Sequence, residues 1–185
     1  MIVVAAVGSV VLTGCQHVFP IQLVEAASYG RSHHDYPAAE IFAPCGSTVV
    51  APVAGAISEI TTVDGWDPAV DDGATRGGLS VTLVGDDGVR YYGSHLSAID
   101  PAIAPGVRVT LGQALGLVGN TGNAQGIACH LHFGISPPCS VGDWEVRRGT
   151  IPPAPYLDRW RAGDKEASPF VEVNAWGQAH PAECP

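Results

Sequence analysis

Five of the seven histidines in this 185-residue chain fall in three short segments. The most suggestive is Cys129-His130-Leu131-His132-Phe133-Gly134-Ile135. Histidines at i and i+2, with apolar residues between and after them, fit one half-buried strand. His130, His132 and Gly134 then share a face, while Leu131, Phe133 and Ile135 enter a core. Two imidazoles held on a rigid element suit metal binding or proton transfer. A second segment, Arg31 to Gly46, brings His33, His34, Asp35 and Glu40 close together before Pro44 and Gly46 mark a turn. The third supplies His95, on an expected strand from Val89 to Leu96 that would set it on the face of Tyr91 and Gly93. A catalytic zinc site needs three protein ligands, commonly histidine and carboxylate, with a fourth position open to water. The strand supplies His132, and the upstream segment offers His34 with Glu40 or Asp35. Asp35 could equally orient an imidazole from outside the ligand set. His130 and His95 remain as imidazoles for taking water's proton or steadying an oxyanion.

These side chains need a rigid frame, and the composition suits short strands. Twenty-three glycines and 15 prolines favour turns over long helices. Val49 to Ile60 reads as strand–turn–strand around Gly55. Leu79 to Val84 alternates as a strand should, and Gly85-Asp86-Asp87-Gly88 supplies the hairpin turn into Val89–Leu96. Short strands and tight turns continue from Gly106 to Gly119. Residues 64–78 form a long polar loop carrying Trp66, a functional rim in many compact domains; its spacing lacks the EF-hand calcium pattern. Tyr156 and Trp160, at i and i+4, suit one short helix. The expected fold class is mainly β, an antiparallel sandwich or open barrel, with an irregular C-terminal tail over 166–185. The formal net charge is −9 and Lys165 is the only lysine, so no basic surface exists to hold a nucleic acid.

In this order along the chain, four stretches resemble the LytM/lysostaphin-type zinc metallopeptidases, the M23 family of peptidoglycan endopeptidases. Glu40-Ile41-Phe42-Ala43-Pro44-Cys45-Gly46 resembles the family's first metal segment, in which aspartate is usual at the position of Glu40. Tyr92-Gly93-Ser94-His95-Leu96 resembles its Tyr-x-His-Leu element. Gly112-Gln113 through Gly119-Asn120-Thr121-Gly122 resembles its Gly-Gln…Gly-x-Thr-Gly stretch, and His130-Leu131-His132-Phe133 its most specific signature. The resemblance covers roughly residues 30–136 and places a peptidase domain over 30–165. It implies a LytM-type (duplicated-hybrid-motif, hammerhead-like) fold, a Zn2+ cofactor and a peptidoglycan peptide substrate. It makes His132 a zinc ligand, His130 the general base and His95 the oxyanion or substrate partner, with His34, Glu40 and His132 as the preferred ligand set and His33 and Asp35 as the local alternatives. The family's first ligand usually stands four residues before the aspartate; Tyr36 is there in this chain. That departure motivates an alternative: a degenerate domain that binds wall or activates another hydrolase through a protein partner. A biotinyl- or lipoyl-like carrier, suggested by Val50 to Gly55, fails for want of a lysine in its turn.

Met1 to Gly14 is almost wholly apolar, too short to span a bilayer and long enough for an export signal. Leu12-Thr13-Gly14-Cys15 resembles a bacterial lipobox, which would make Cys15 a lipidated residue, residues 16–29 a tether and the cell envelope the location. Four cysteines then remain in an exported setting, where disulfides persist. Of three possible pairings, Cys45–Cys129 with Cys139–Cys184 is preferred, because Cys45 follows one candidate metal segment and Cys129 opens the other.

Overall fold

Apolar residues at every second position, interrupted by glycine- and proline-bearing turns, dictate strands that each bury one face. The computed structural model describes residues 15–140 and 143–184, and the export signal read into Met1–Gly14 lies outside them. In chain order the strands are β1 (Ser28–Tyr29), β2 (Ala39–Phe42), β3 (Thr48–Val50), β4 (Gly55–Thr61), β5 (Leu79–Gly85), β6 (Arg90–Ile99), β7 (Arg108–Val109), β8 (Ala114–Val118) and β9 (His130–Ser136). All pair antiparallel, in the order β1-β2-β9-β6-β5-β4-β7, and β8 pairs with both β3 and β6. The expected mainly antiparallel β architecture is therefore present, as an open sheet.

Strand β9 lies inside this sheet, between β2 and β6, and every one of its residues is buried. Its Leu131, Phe133 and Ile135 meet Ile41 of β2, Tyr91 of β6 and Val81 and Leu83 of β5 in one core. Each such fully buried side chain contributes on the order of 2 kcal/mol. Helices α1 (Trp144–Arg147), α2 (Ala154–Arg161) and α3 (Phe170–Ala179) follow the sheet. The expected short helix is α2, and it buries Tyr156, Leu157 and Trp160.

Two terminal segments differ from expectation. Residues 16–29 do not hang free: His17, Phe19 and Ile21 are buried at alternate positions, and Ile21 bridges to Val49. The His17 ring stacks on Trp160, with Nε2 2.9 Å from Asp87 Oδ2. The segment covers apolar surface that α2 and the sheet edge leave open, which a solvated tether would not do. The tail likewise is not irregular throughout. Its α3 buries Val173, and Trp160 Nε1–H donates to Ala167 O at 2.8 Å. Phe170, Val173 and Trp176 follow helical spacing, which gives this helix its apolar face.

Both preferred disulfides are present. Cys45–Cys129 has a Cα separation of 5.3 Å and Cys139–Cys184 one of 4.9 Å, within the ordinary range. The first joins the ends of β2 and β9, and closing its 84-residue loop is worth on the order of 4 kcal/mol. Cys15 is free and partly exposed. Among the described residues no helix is long and apolar enough to cross a membrane.

Candidate metal centre

Pairing between β2 and β9 sets Glu40 directly opposite His132, and Phe42 opposite His130. Directly opposed residues project to the same face, so Glu40, His130 and His132 converge as Ile41, Leu131 and Phe133 turn inward. Glu40 Oε1 lies 2.9 Å from His132 Nδ1 and 3.1 Å from His33 Nε2, and Glu40 Oε2 lies 3.2 Å from His130 Nε2. One ligand atom from each of His33, Glu40 and His132 lies within 4.8 Å of the others, and the same holds for Glu40, His95 and His130.

The structure therefore brings His33 to Glu40 and His132, whereas His34 stands outside that cluster. His34 and Asp35 are exposed and group with His33 alone at the groove margin. Residues 34–37 form a run of bends, and Tyr36, which stands where the family pattern expects a ligand, packs against His33 at 4.3 Å between ring centroids. The chain thus loops over Tyr36 before entering β2.

His95 also departs from simple alternation. Between the pairs Leu79–Leu96 and Val81–Gly93 the β5–β6 register shifts, and His95 adopts φ +64°. This bulge turns its side chain away from the core face of Tyr91 and into the groove lined by Tyr92, Ser94 and His132. A left-handed backbone at a non-glycine residue is costly, and such positions gather where a side chain must be re-aimed. The His95 N–H donates to Gly77 O, holding the bulge.

Three of the imidazoles are oriented from behind. His132 Nε2 sits 2.9 Å from Arg148 O, His130 Nδ1 2.8 Å from Ala128 O, and His95 Nδ1 2.9 Å from Thr121 O. A carbonyl oxygen only accepts, so these nitrogens carry protons, and the other nitrogen of each neutral ring offers a lone pair. Gly134 makes the first of these bonds possible: a Cβ there would lie 2.4 Å from Arg148 O.

Electrostatics follow from this crowding. Burial pushes the Glu40 carboxyl up, but its contacts with the imidazoles of His130, His132 and His33 outweigh it and hold the group well below the usual carboxylate range. Burial also lowers His130, yet its contacts with Glu40 and Ala128 raise it overall. Burial, with His132 and His130 nearby, lowers His95 to about 4, so it is neutral at pH 7.

These donors fit a zinc ion. With their outward nitrogens held by backbone carbonyls, His132 Nδ1 and His130 Nε2 face the Glu40 carboxylate, and a cation placed between them would take the place of the protons there. Glu40 Oε2 and His33 Nδ1 are buried without hydrogen-bond partners. Tetrahedral ligands about 2.1 Å from zinc stand about 3.4 Å apart, so the contacts of 2.9 and 3.1 Å need open by only a few tenths of an ångström.

The groove beyond this cluster includes residues that the sequence reading did not single out. Arg147 and Arg148 end α1 on one side, with Trp144 beside them, and Arg76 and Asn123 face them. Asp64 ties two rim loops together, accepting from Gly122 N–H at 3.0 Å and Gln125 Nε2 at 3.1 Å. The adjacent arginine pair, in a chain with nine basic residues in all, was the available signal.

The sequence pattern of peptidase family M23 matches residues 34–143. No curated protein matches the chain. Among solved structures, the catalytic domain of the antimicrobial peptidase lysostaphin from Staphylococcus simulans is similar, at 25% identity and TM-score 0.57, over 77% of this chain and 99% of that domain. A putative glycyl-glycine endopeptidase LytM from Ruminococcus gnavus shares the fold, at 21% identity and TM-score 0.60, over 82% of this chain and 62% of that one. A zinc-containing peptidase from Vibrio cholerae shares it too, at 17% identity and TM-score 0.51, over 74% and 38%. The chain thus spans a whole lysostaphin catalytic domain but less than two thirds of the two longer proteins.

Proposed function

From the premise that this chain belongs to peptidase family M23, we propose that it is a zinc-dependent endopeptidase that hydrolyses peptide cross-links of bacterial cell-wall peptidoglycan. The observation that carries this reading is the convergence of His33, His130 and His132 on Glu40, with His130 and His132 each oriented by a carbonyl behind the ring. His33 Nε2, Glu40 and His132 Nδ1 would hold the metal. Zinc bound there supplies a polarised carbonyl and a water made acidic near neutral pH.

The protein's own groups do the rest. His130 Nε2 takes the proton of the attacking water, and the Glu40 carboxylate beside it favours the resulting imidazolium. His95, held neutral with Nδ1–H on Thr121 O, offers Nε2 as an acceptor for a substrate N–H. It becomes an oxyanion donor only after gaining a proton. The disulfide at the end of β2 and β9 keeps the two ligand-bearing strands in register. A degenerate wall-binding or activating role drew its support from the altered first segment; a convergent set of three donors with a basic imidazole beside it favours catalysis. An anchor at Cys15 would hold the domain close to the membrane, since burial begins again at His17.

The test is zinc stoichiometry by elemental analysis, with a chelator-treated control, followed by peptidoglycan digestion with chromatography of the released peptides. One zinc per chain and new amino termini are expected. His130→Ala should keep its zinc and lose about a hundredfold or more in turnover. A folded protein that holds no zinc when supplied with excess metal would overturn the reading.

A further inference from the structure

Three arginines line the groove that holds the candidate metal centre, and they differ in how their charge is met. Arg76 Nη2 pairs with Asp71 at 2.7 Å, and Arg147 Nη1 pairs with Glu59 at 2.7 Å. Arg148 has no carboxylate within 4 Å among the described residues. Its guanidinium instead lies 4.0 Å from the ring centroid of Tyr36 and 5.1 Å from that of Trp144, and its buried Nε has no hydrogen-bond partner. Two aromatic rings from separate segments thus hold a planar cation whose donors are unspent, in a chain with twice as many acidic as basic residues. A guanidinium so held keeps its fork ready for a carboxylate, and losing little rotamer freedom on binding is what a recognition group requires. The residue is also close to the chemistry, because its own carbonyl accepts the Nε2–H of His132 at 2.9 Å.

We propose that Arg148 receives a free carboxylate of the substrate, so that the enzyme prefers a cross-link to a diamino acid whose carboxylate lies next to the scissile amide. An uncharged glycyl–glycine bridge leaves Arg148 unpaired. The inference rests on the endopeptidase reading for its substrate but not for its binding partner, which allows the two to be tested apart.

The probes are a cross-linked stem-peptide dimer with its diamino-acid carboxylate free, the same dimer with that carboxylate amidated, and pentaglycine capped at both ends so that it carries no carboxylate. Calorimetry on the metal-free full chain, which does not turn the peptides over, reads binding. Kinetics on the zinc-loaded chain reads cleavage. Amidation should weaken binding to the unsubstituted protein by tenfold or more and lower kcat/KM similarly, chiefly through KM. Arg148→Gln should bind the acid and the amide alike, and Arg148→Lys should fall between, having the charge without the fork. Zinc stoichiometry and melting of each variant report on the fold, since the backbone carbonyl that holds His132 is retained. Equal binding of acid and amide by the unsubstituted protein, or discrimination that survives in Arg148→Gln, would overturn the role of Arg148. Cleavage of pentaglycine as efficient as that of the acidic dimer would overturn the substrate class. Failure to cut any of the three would instead count against the endopeptidase reading, with calorimetry still deciding the carboxylate site.

Discussion

A single methyl group at Gly134 should loosen the metal centre without touching a ligand. An alanine Cβ at this position would lie 2.4 Å from Arg148 O and 2.7 Å from Arg148 C, against an ordinary contact of 3.4 Å or more. Both obstacles are backbone, so the segment after α1 must retreat by roughly 1 Å. The His132 Nε2–H bond to Arg148 O, now 2.9 Å, would then stretch past hydrogen-bonding range. Losing a bond to a buried imidazole costs about 1–3 kcal/mol, and the forced displacement about as much again. At roughly 2–4 °C per kcal/mol for a chain of this size, the metal-free protein should melt about 5–15 °C lower. Zinc affinity, measured by chelator competition, should fall about 10–100-fold, because the group that fixes the ligand's tautomer has moved. Gly65→Ala is the control, since a Cβ there meets nothing nearer than 3.9 Å. If Gly134→Ala melted within 2 °C of the parent and bound zinc within about threefold, the orienting role of Arg148 O would be refuted.

Other substitutions separate the ligands from their neighbours. His33→Ala should abolish tight zinc binding, and His34→Ala should leave it within about threefold; the reverse ranking in a metal titration would restore His34 to the site. Glu40→Asp should weaken zinc affinity about tenfold or more, because the shortened arm draws the carboxylate about 1.5 Å back from His33 and His132. Unchanged affinity by chelator competition would mean the strands shift to follow it. For pH dependence, His95 is lowered to about 4 against an ordinary 6.5. A depressed pKa contributes stability that is present above the ordinary value and lost as pH falls through the folded one. Urea unfolding of the metal-free protein should therefore show a loss of roughly 2–3 kcal/mol between pH 7 and pH 4.5 that His95→Gln lacks. His130, raised by Glu40, works in the opposite sense, so the comparison with His95→Gln is the decisive one. Identical pH profiles for the two proteins would show that His95 is not held neutral by burial.

What was legible in the sequence depended on how local the determining physics is. The alternation in β9 is a property of seven consecutive residues, so the shared face of His130 and His132 could be read directly. Register between strands is not local, and that Glu40 faces His132 emerges only once β2 lies against β9. The choice between His33 and His34 turns on bends over residues 34–37 that no periodicity encodes. His95 defeated the alternation rule because one residue with φ +64° reverses the face for everything after it. The packed segment 16–29 did carry a signal: His17, Phe19 and Ile21 alternate as a buried extended chain does. The lipobox resemblance just upstream drew that segment towards a tether instead.

The two departures from the family pattern in the first metal segment make physical sense together. Glutamate at position 40 reaches one methylene further out of the strand than aspartate, which carries the carboxylate away from the sheet. His33, seven residues before Glu40, comes in over the longer loop and meets Oε1 at 3.1 Å. Tyr36 fills the space beneath, in contact with His33 on one side and Arg148 on the other. Through Tyr36 the same loop reaches the arginine-lined wall of the groove, where Arg148 stands free of any protein carboxylate among the described residues. The longer arm, the longer loop and the unpaired cation are thus joined through one side chain, Tyr36.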